Sequence, residues 1–217
     1  MMLRAVPLGH QGSPLPVGLP TEGEALRARA FTDARQAHEF LAGRLALRGF
    51  VAEAVGAEPE AIVPLYWCPA CGAGEHGAPG FALAASDDDG LDVPRPARLP
   101  VAASMSRAAG WALLAVEPAG GSASVRVGVD LARPADFATI PEAAFSPSER
   151  VRLADSRDAR VEAARLWARK EALLKALGTG LRTDPATVET LGDPRVVDVA
   201  PHNLGLPTGF VAAAALL

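Results

Sequence analysis

A carboxylate and an ammonium recur at a telling interval near the middle of the second half of this chain. Trp167, Glu171 and Lys175 are each four residues apart, which on a helix aligns them along one stripe beside the buried face. On spacing alone the pair reads either as a surface ion pair, worth about 0.2 to 0.5 kcal/mol, or as part of a site. Asp130 lies where Val125, Val127, Val129 and Leu131 alternate with Arg126, Gly128 and Asp130. On such a strand its carboxylate points away from the valines, and the next position on its face is Ala132. The 2 cysteines, Cys68 and Cys71, stand in Cys-Pro-Ala-Cys-Gly with His76 five residues on. No second cysteine pair or close histidine pair completes a four-ligand zinc set, and Gly72, Gly74, Gly77, Pro79 and Gly80 mark the segment as a loop. A structural loop is therefore the reading, with metal and redox roles as its alternatives. The run Asp87-Asp88-Asp89 lacks calcium-loop spacing and reads as a solvated loop.

These residues need elements to hold them. Leu166, Leu173, Leu174 and Leu177 repeat with helical period, so a helix over 157–177 carries the stripe, with Gly178 placed for a left-handed cap. Before it, Phe145-Ser146-Pro147-Ser148-Glu149 has a capping serine, a proline at the first helical position and a glutamate that closes a capping box. An earlier helix over 32–48 starts at Thr32 or Asp33, ends at Gly49 and carries Arg35, Arg44 and Arg48. Short apolar strands are expected over 62–67, 110–116, 196–199 and 209–216, and the alternating segment that holds Asp130 reads as the hairpin partner of 110–116. Gly110-Trp111-Ala-Leu-Leu-Ala and Gly209-Phe210-Val-Ala-Ala-Ala echo each other, each after a long helix. The expected fold is α+β, a pseudo-dimer of two similar halves, 1–117 and 118–217, with the active site between them.

Composition bounds the function. The chain of 217 residues has 49% apolar and 21% charged residues, which suits a folded protein. A net charge of -4 argues against a nucleic-acid partner. Residues 1–20 contain Pro7, Pro14, Pro16 and Pro20 without a continuous apolar run, and the apolar tail at 210–217 is far below the roughly 20 residues of a membrane span. A cytoplasmic protein with no membrane association is the expectation.

Gly128-Val-Asp130, Phe145-Ser-Pro-Ser-Glu149 and Trp167-Ala-Arg-Lys170-Glu171-Ala-Leu-Leu-Lys175, in this order and spacing, resemble the 4'-phosphopantetheinyl transferase superfamily of the surfactin-synthetase-activating type. The resemblance implies a monomer that moves phosphopantetheine from coenzyme A to a serine of an apo acyl or peptidyl carrier protein, with Mg²⁺ as cofactor. It implies that Asp130 and Glu171 hold the magnesium and that Glu171 and Lys175 are catalytic. It places Arg44, Ser106, Arg107, Lys170 and Lys175 at the coenzyme, with Arg107 standing where the family has a histidine that meets the 3'-phosphate. This chain departs from the family at Ala78, which replaces a basic residue, and at Ala132, which replaces the second carboxylate of Asp-x-Glu. Weaker magnesium binding is the implied consequence.

Overall fold

The computed structural model describes residues 1–10, 12–84, 98–120 and 125–217. The Asp87-Asp88-Asp89 run lies outside them. The element order mixes helices and strands: β1 (Met2–Pro7), α1 (Glu22–Arg29), α2 (Ala34–Val55), β2 (Ile62–Cys68), β3 (Gly72–Gly74), β4 (Ala78–Leu83), β5 (Val101–Ala108), β6 (Trp111–Pro118), β7 (Val127–Ala132), α3 (Pro147–Ala154), α4 (Ala159–Leu177), β8 (Val196–Val199) and β9 (Val211–Leu216). The fold is α+β. Among the described residues the strands form sheets of order β1-β6-β5, β3-β2-β4 and β7-β9-β8. The chain divides into two compact units, one of Met1–Val6, Ser104–Ala115 and Arg126–Leu217, the other of Pro7–Ala103 and Val116–Val125. Among the described residues no helix is long and apolar enough to cross a membrane.

In the second of these units, Asp33 caps α2 by accepting the backbone N–H of Arg35 and Gln36, and Gly56 ends it in the left-handed conformation at φ 69°. The helix thus passes through Gly49, the expected end. Phe50, Val51 and Ala52 continue its apolar face and are all buried, which outweighs the roughly 1 kcal/mol that an interior glycine costs. Arg48 is buried as well: its Nη2 meets the Glu24 carboxylate at 2.6 Å, and Tyr66 donates to the same carboxylate at 3.2 Å. Desolvation pushes the Tyr66 phenol up to about 12. The segment after Cys68, expected as a loop, instead forms an antiparallel sheet, with Cys68 opposite Gly72 and Trp67 opposite Ala78. Its glycines permit close strand approach, and that is compatible with ladder pairing as well as with loops.

In the first unit, β9 is the central strand of an antiparallel sheet, with β7 and β8 on its two sides. The expected hairpin between 110–116 and the Asp130 strand is corrected here: β7 pairs with β9, Val127 opposite Leu216 and Asp130 opposite Ala213. Alternation identifies a strand and its faces but carries no information on which strand it pairs with. The partner of β6 in the tight hairpin is β5, joined to it by Ala109 and Gly110, both at positive φ (47° and 78°). That is the condition for the turn whose twist matches a hairpin. Helix α4 packs on the β7-β9-β8 sheet, and Leu166, Ala168, Ala172, Leu173 and Ala176 from it join Phe145, Val196, Ala213 and Ala215 in one core cluster.

Candidate functional site

Glycine sets the distance between α4 and β7. A Cβ built on Gly128 would stand 1.9 Å from the Ala172 carbonyl oxygen and 2.7 Å from the Ala176 nitrogen, both backbone atoms of α4. Only a residue without a side chain allows this approach. Gly128 and Asp130 share one face of β7 by the two-residue period of a strand. The same close approach therefore brings the Asp130 carboxylate to the next part of α4.

There Lys175 Nζ donates to Asp130 Oδ1 at 2.6 Å and to the Val129 carbonyl at 3.0 Å. Ser106 of β5 donates its Oγ to the same Oδ1 at 2.7 Å, and Ser104, two residues earlier on that strand, accepts the Val129 N–H at 3.1 Å. Asp130 is 6% exposed, so these charge-assisted bonds lie in a partly desolvated place where they are stronger than on the surface. Ser104 was not singled out by sequence, although it occupies the face of Ser106 one strand period away. Arg107 is exposed, and the strand pleat turns it to the face opposite Ser106.

Glu171 completes the cluster. Burial pushes its carboxyl group up, Lys175 pulls it down, and the Asp130 carboxylate pushes it up again. Two carboxylates close enough to repel one another thus flank one ammonium. The Glu171 Oε1 atom is buried and has no hydrogen-bond partner among the described residues. Such an atom carries the full cost of lost hydration unless a cation or donor supplies it. Hard oxygen donors in this state fit Mg²⁺, which takes one or two carboxylates and keeps its waters. Ala132 adds no donor: it is 8% exposed and belongs to the apolar core cluster.

Lys170 sits elsewhere on the helix and is occupied within the fold. Its side chain is fully buried, its Nζ lies 2.6 Å from Glu149 Oε2 and 2.7 Å from the Pro185 carbonyl, and it also donates to the Val188 carbonyl. Those acceptors use all three ammonium donors. Glu149 in turn receives the Ser146 N–H at 2.9 Å as the capping box of α3, and the Thr190 hydroxyl at 2.7 Å. The capping motif and the Trp-x-x-Lys-Glu motif are thereby joined by a buried ion pair. Sequence gave Glu149 its cap but no signal pointed to Lys170 as its partner. Trp167 is partly buried against the core cluster.

Arg44 lies in the other unit. Its guanidinium stacks on Tyr66, 3.7 Å from the ring centroid, lies 5.0 Å from that of Phe40, and its Nη2 reaches the Glu75 carbonyl at 3.4 Å. The structure thus brings Ser106, Asp130, Glu171 and Lys175 together, and gives Arg44 and Lys170 their own partners.

Residues 126–211, from the approach to β7 to the first residue of β9, match the model of the 4'-phosphopantetheinyl transferase superfamily. Over this segment the chain is similar to that superfamily. No curated protein matches the chain. Among solved structures it is similar to a Thermotoga maritima holo-[acyl-carrier-protein] synthase, at 23% identity and a TM-score of 0.36, over 42% of this chain and 62% of that one. The matched segment contains Asp130, Glu171 and Lys175, whereas Ser106 and the hairpin that carries it lie before it.

Proposed function

We propose that the chain is a phosphopantetheinyl transferase of the surfactin-synthetase-activating type, with coenzyme A and an apo acyl or peptidyl carrier protein as substrates. The observation that carries this is the Asp130, Lys175 and Glu171 cluster inside the matched segment, with the Lys175 ammonium 2.6 Å from Asp130 and the Glu171 Oε1 unpartnered. The family's two-half architecture is part of the same reading.

In the reaction the carrier serine Oγ attacks the β-phosphorus of coenzyme A. A new P–O bond forms, the bond to the leaving phosphate breaks, and adenosine 3',5'-bisphosphate departs. Asp130 and Glu171 would hold magnesium, which when bound neutralises charge on the diphosphate oxygens. In this reading Glu171 accepts the serine proton. Lys175 spends two of its donors on Asp130 and Val129, which leaves one for a phosphate oxygen of the leaving group. Ser106 holds the Asp130 carboxylate in place. Lys170, buried on Glu149, supports the helix rather than the coenzyme. Within the unit that carries Asp130, the phosphate contact of this reading falls to Lys175.

The test is the mass of several apo carrier proteins after incubation with the purified chain, coenzyme A and a series of magnesium concentrations. Gain of a phosphopantetheine mass is expected, with Glu171→Ala and Lys175→Ala each reducing the rate by at least about 100-fold. Failure on the whole panel at millimolar magnesium would refute the activity. The buried, apolar setting of Ala132 favours a second reading, a catalytically silent relative that binds coenzyme A or a carrier protein. Calorimetry separates the two: magnesium-dependent coenzyme A binding supports the transferase, and binding indifferent to magnesium supports the silent relative.

A further inference from the structure

We infer that Cys68, Cys71 and His76 form a binding site for a soft divalent cation, zinc above all, on the β3-β2-β4 sheet. The sequence alone made this stretch a loop with too few ligands, whereas the folded chain gathers the three. One ligand atom from each lies within 4.8 Å of the other two. In a tetrahedral zinc site with Zn–S and Zn–N bonds of ordinary length, neighbouring ligand atoms are about 3.5 to 3.8 Å apart. Small side-chain rotations therefore close the group around an ion.

The backbone is shaped to bring these atoms together. Strand β2 ends on Cys68, the Cys71 N–H donates back to the Cys68 carbonyl at 3.2 Å, and Gly72 leaves the turn at φ 81°. That turn places both sulfurs on one side of a single tight corner. His76 arrives by a second route. Gly77, at φ 105°, lies so close to β2 that a Cβ on it would be 2.2 Å from the Trp67 carbonyl oxygen and 2.7 Å from the Cys68 nitrogen. A glycine next to the histidine, and no other residue, lets the chain press against the cysteine backbone.

The chemistry of the group suits a thiophilic ion. Cys68 and Cys71 are not joined in a disulfide. Binding would release both thiol protons to solvent, so affinity falls as pH falls. Two thiolates and an imidazole select zinc over magnesium, in contrast to the all-oxygen pair of Asp130 and Glu171. Among the described residues no fourth His, Cys, Asp or Glu joins the group. Cys71 is exposed, so water or an external ligand can take the fourth position.

The experiment is a titration of the full chain, reduced and stripped by a chelator, with Co²⁺ as a spectroscopic stand-in for zinc. Expected is one equivalent of cobalt with a near-ultraviolet thiolate-to-cobalt charge-transfer band and tetrahedral visible bands, bleached by one equivalent of Zn²⁺ and untouched by millimolar Mg²⁺. Cys71→Ser, at an exposed position, should weaken zinc binding by more than about 100-fold, and His76→Gln by at least about tenfold, since even outer partners of a metal site are worth 10- to 100-fold. Absence of the charge-transfer band while both thiols titrate as reduced would overturn the site. So would a disulfide in protein kept anaerobic, or zinc affinity that Cys71→Ser leaves unchanged.

Discussion

Burial and the Asp130 carboxylate together push the Glu171 carboxyl up, and Lys175 only partly opposes them. A carboxyl whose folded pKa exceeds its unfolded one binds more protons in the folded state. Its stabilising share is therefore complete at low pH and is lost as pH rises from the unfolded value of 4.5 through the raised folded value. Above that window the ionised group costs stability unless a cation meets it. Glu171→Gln keeps the shape and removes the charge, so in metal-free solution near pH 8 it should melt no lower than the parent, with the advantage fading as the solution is acidified below the carboxylate range. Added magnesium should raise the melting temperature of the parent and not that of the variant. A lower metal-free melting temperature for Glu171→Gln at pH 8, or an equal response of both to magnesium, would show that Glu171 is satisfied by the protein alone. Its neighbour Lys170 shows what spacing hides: one position along α4, the side chain is buried against Glu149 and two carbonyls. Sequence places both residues in one motif, and only the helix turn of about 100° per residue sends them to different partners.

At the scale of elements, the contact of α4 with β7 through Gly128 fixes the geometry of the site. A methyl group there would strike backbone, which cannot swing aside, so Gly128→Ala must push the helix off the strand. We expect a loss of about 3 kcal/mol or more, at or above the upper end of ordinary overpacking, read from chemical denaturation. Any protein that remains folded should lose the proposed transfer activity, because Glu171 and Lys175 move from Asp130. An unfolding midpoint equal to the parent's would mean that the helix has slack here. The helical elements were largely legible in the sequence: Ser146, Pro147 and Glu149 form the cap of α3 as expected, and Gly178 ends α4 at φ 73°. Those signals are local, since each residue acts on backbone within one turn. The pairing of β7 with β9 was not legible, because it joins Asp130 to Ala213 across most of the second half of the chain. Nor was the convergence of Cys68, Cys71 and His76, which depends on a glycine approach that no residue spacing reports.

For the whole molecule, the compact unit that carries Asp130 is discontinuous, because it takes in Met1–Val6 and Ser104–Ala115 as well as Arg126–Leu217. The boundary near residue 118 read from the sequence would therefore separate Asp130 from Ser106, and the Val129 N–H from Ser104, both bonded pairs of the buried site. In a fragment of residues 118–217 the Asp130 oxygen would lose one donor and the Val129 N–H its acceptor. A buried N–H left without its acceptor costs about 1 to 3 kcal/mol, a sizeable share of the 5 to 15 kcal/mol by which domains are stable. We expect the fragment, expressed alone, to show helical circular dichroism without a cooperative thermal transition, and a poorly dispersed amide spectrum. Supplying the residue 1–117 fragment in trans should restore cooperativity if the two pieces reassociate through β5. A 118–217 fragment that melts cooperatively at the temperature of the intact chain would instead establish that this segment folds by itself, and that Ser104 and Ser106 add nothing to its stability.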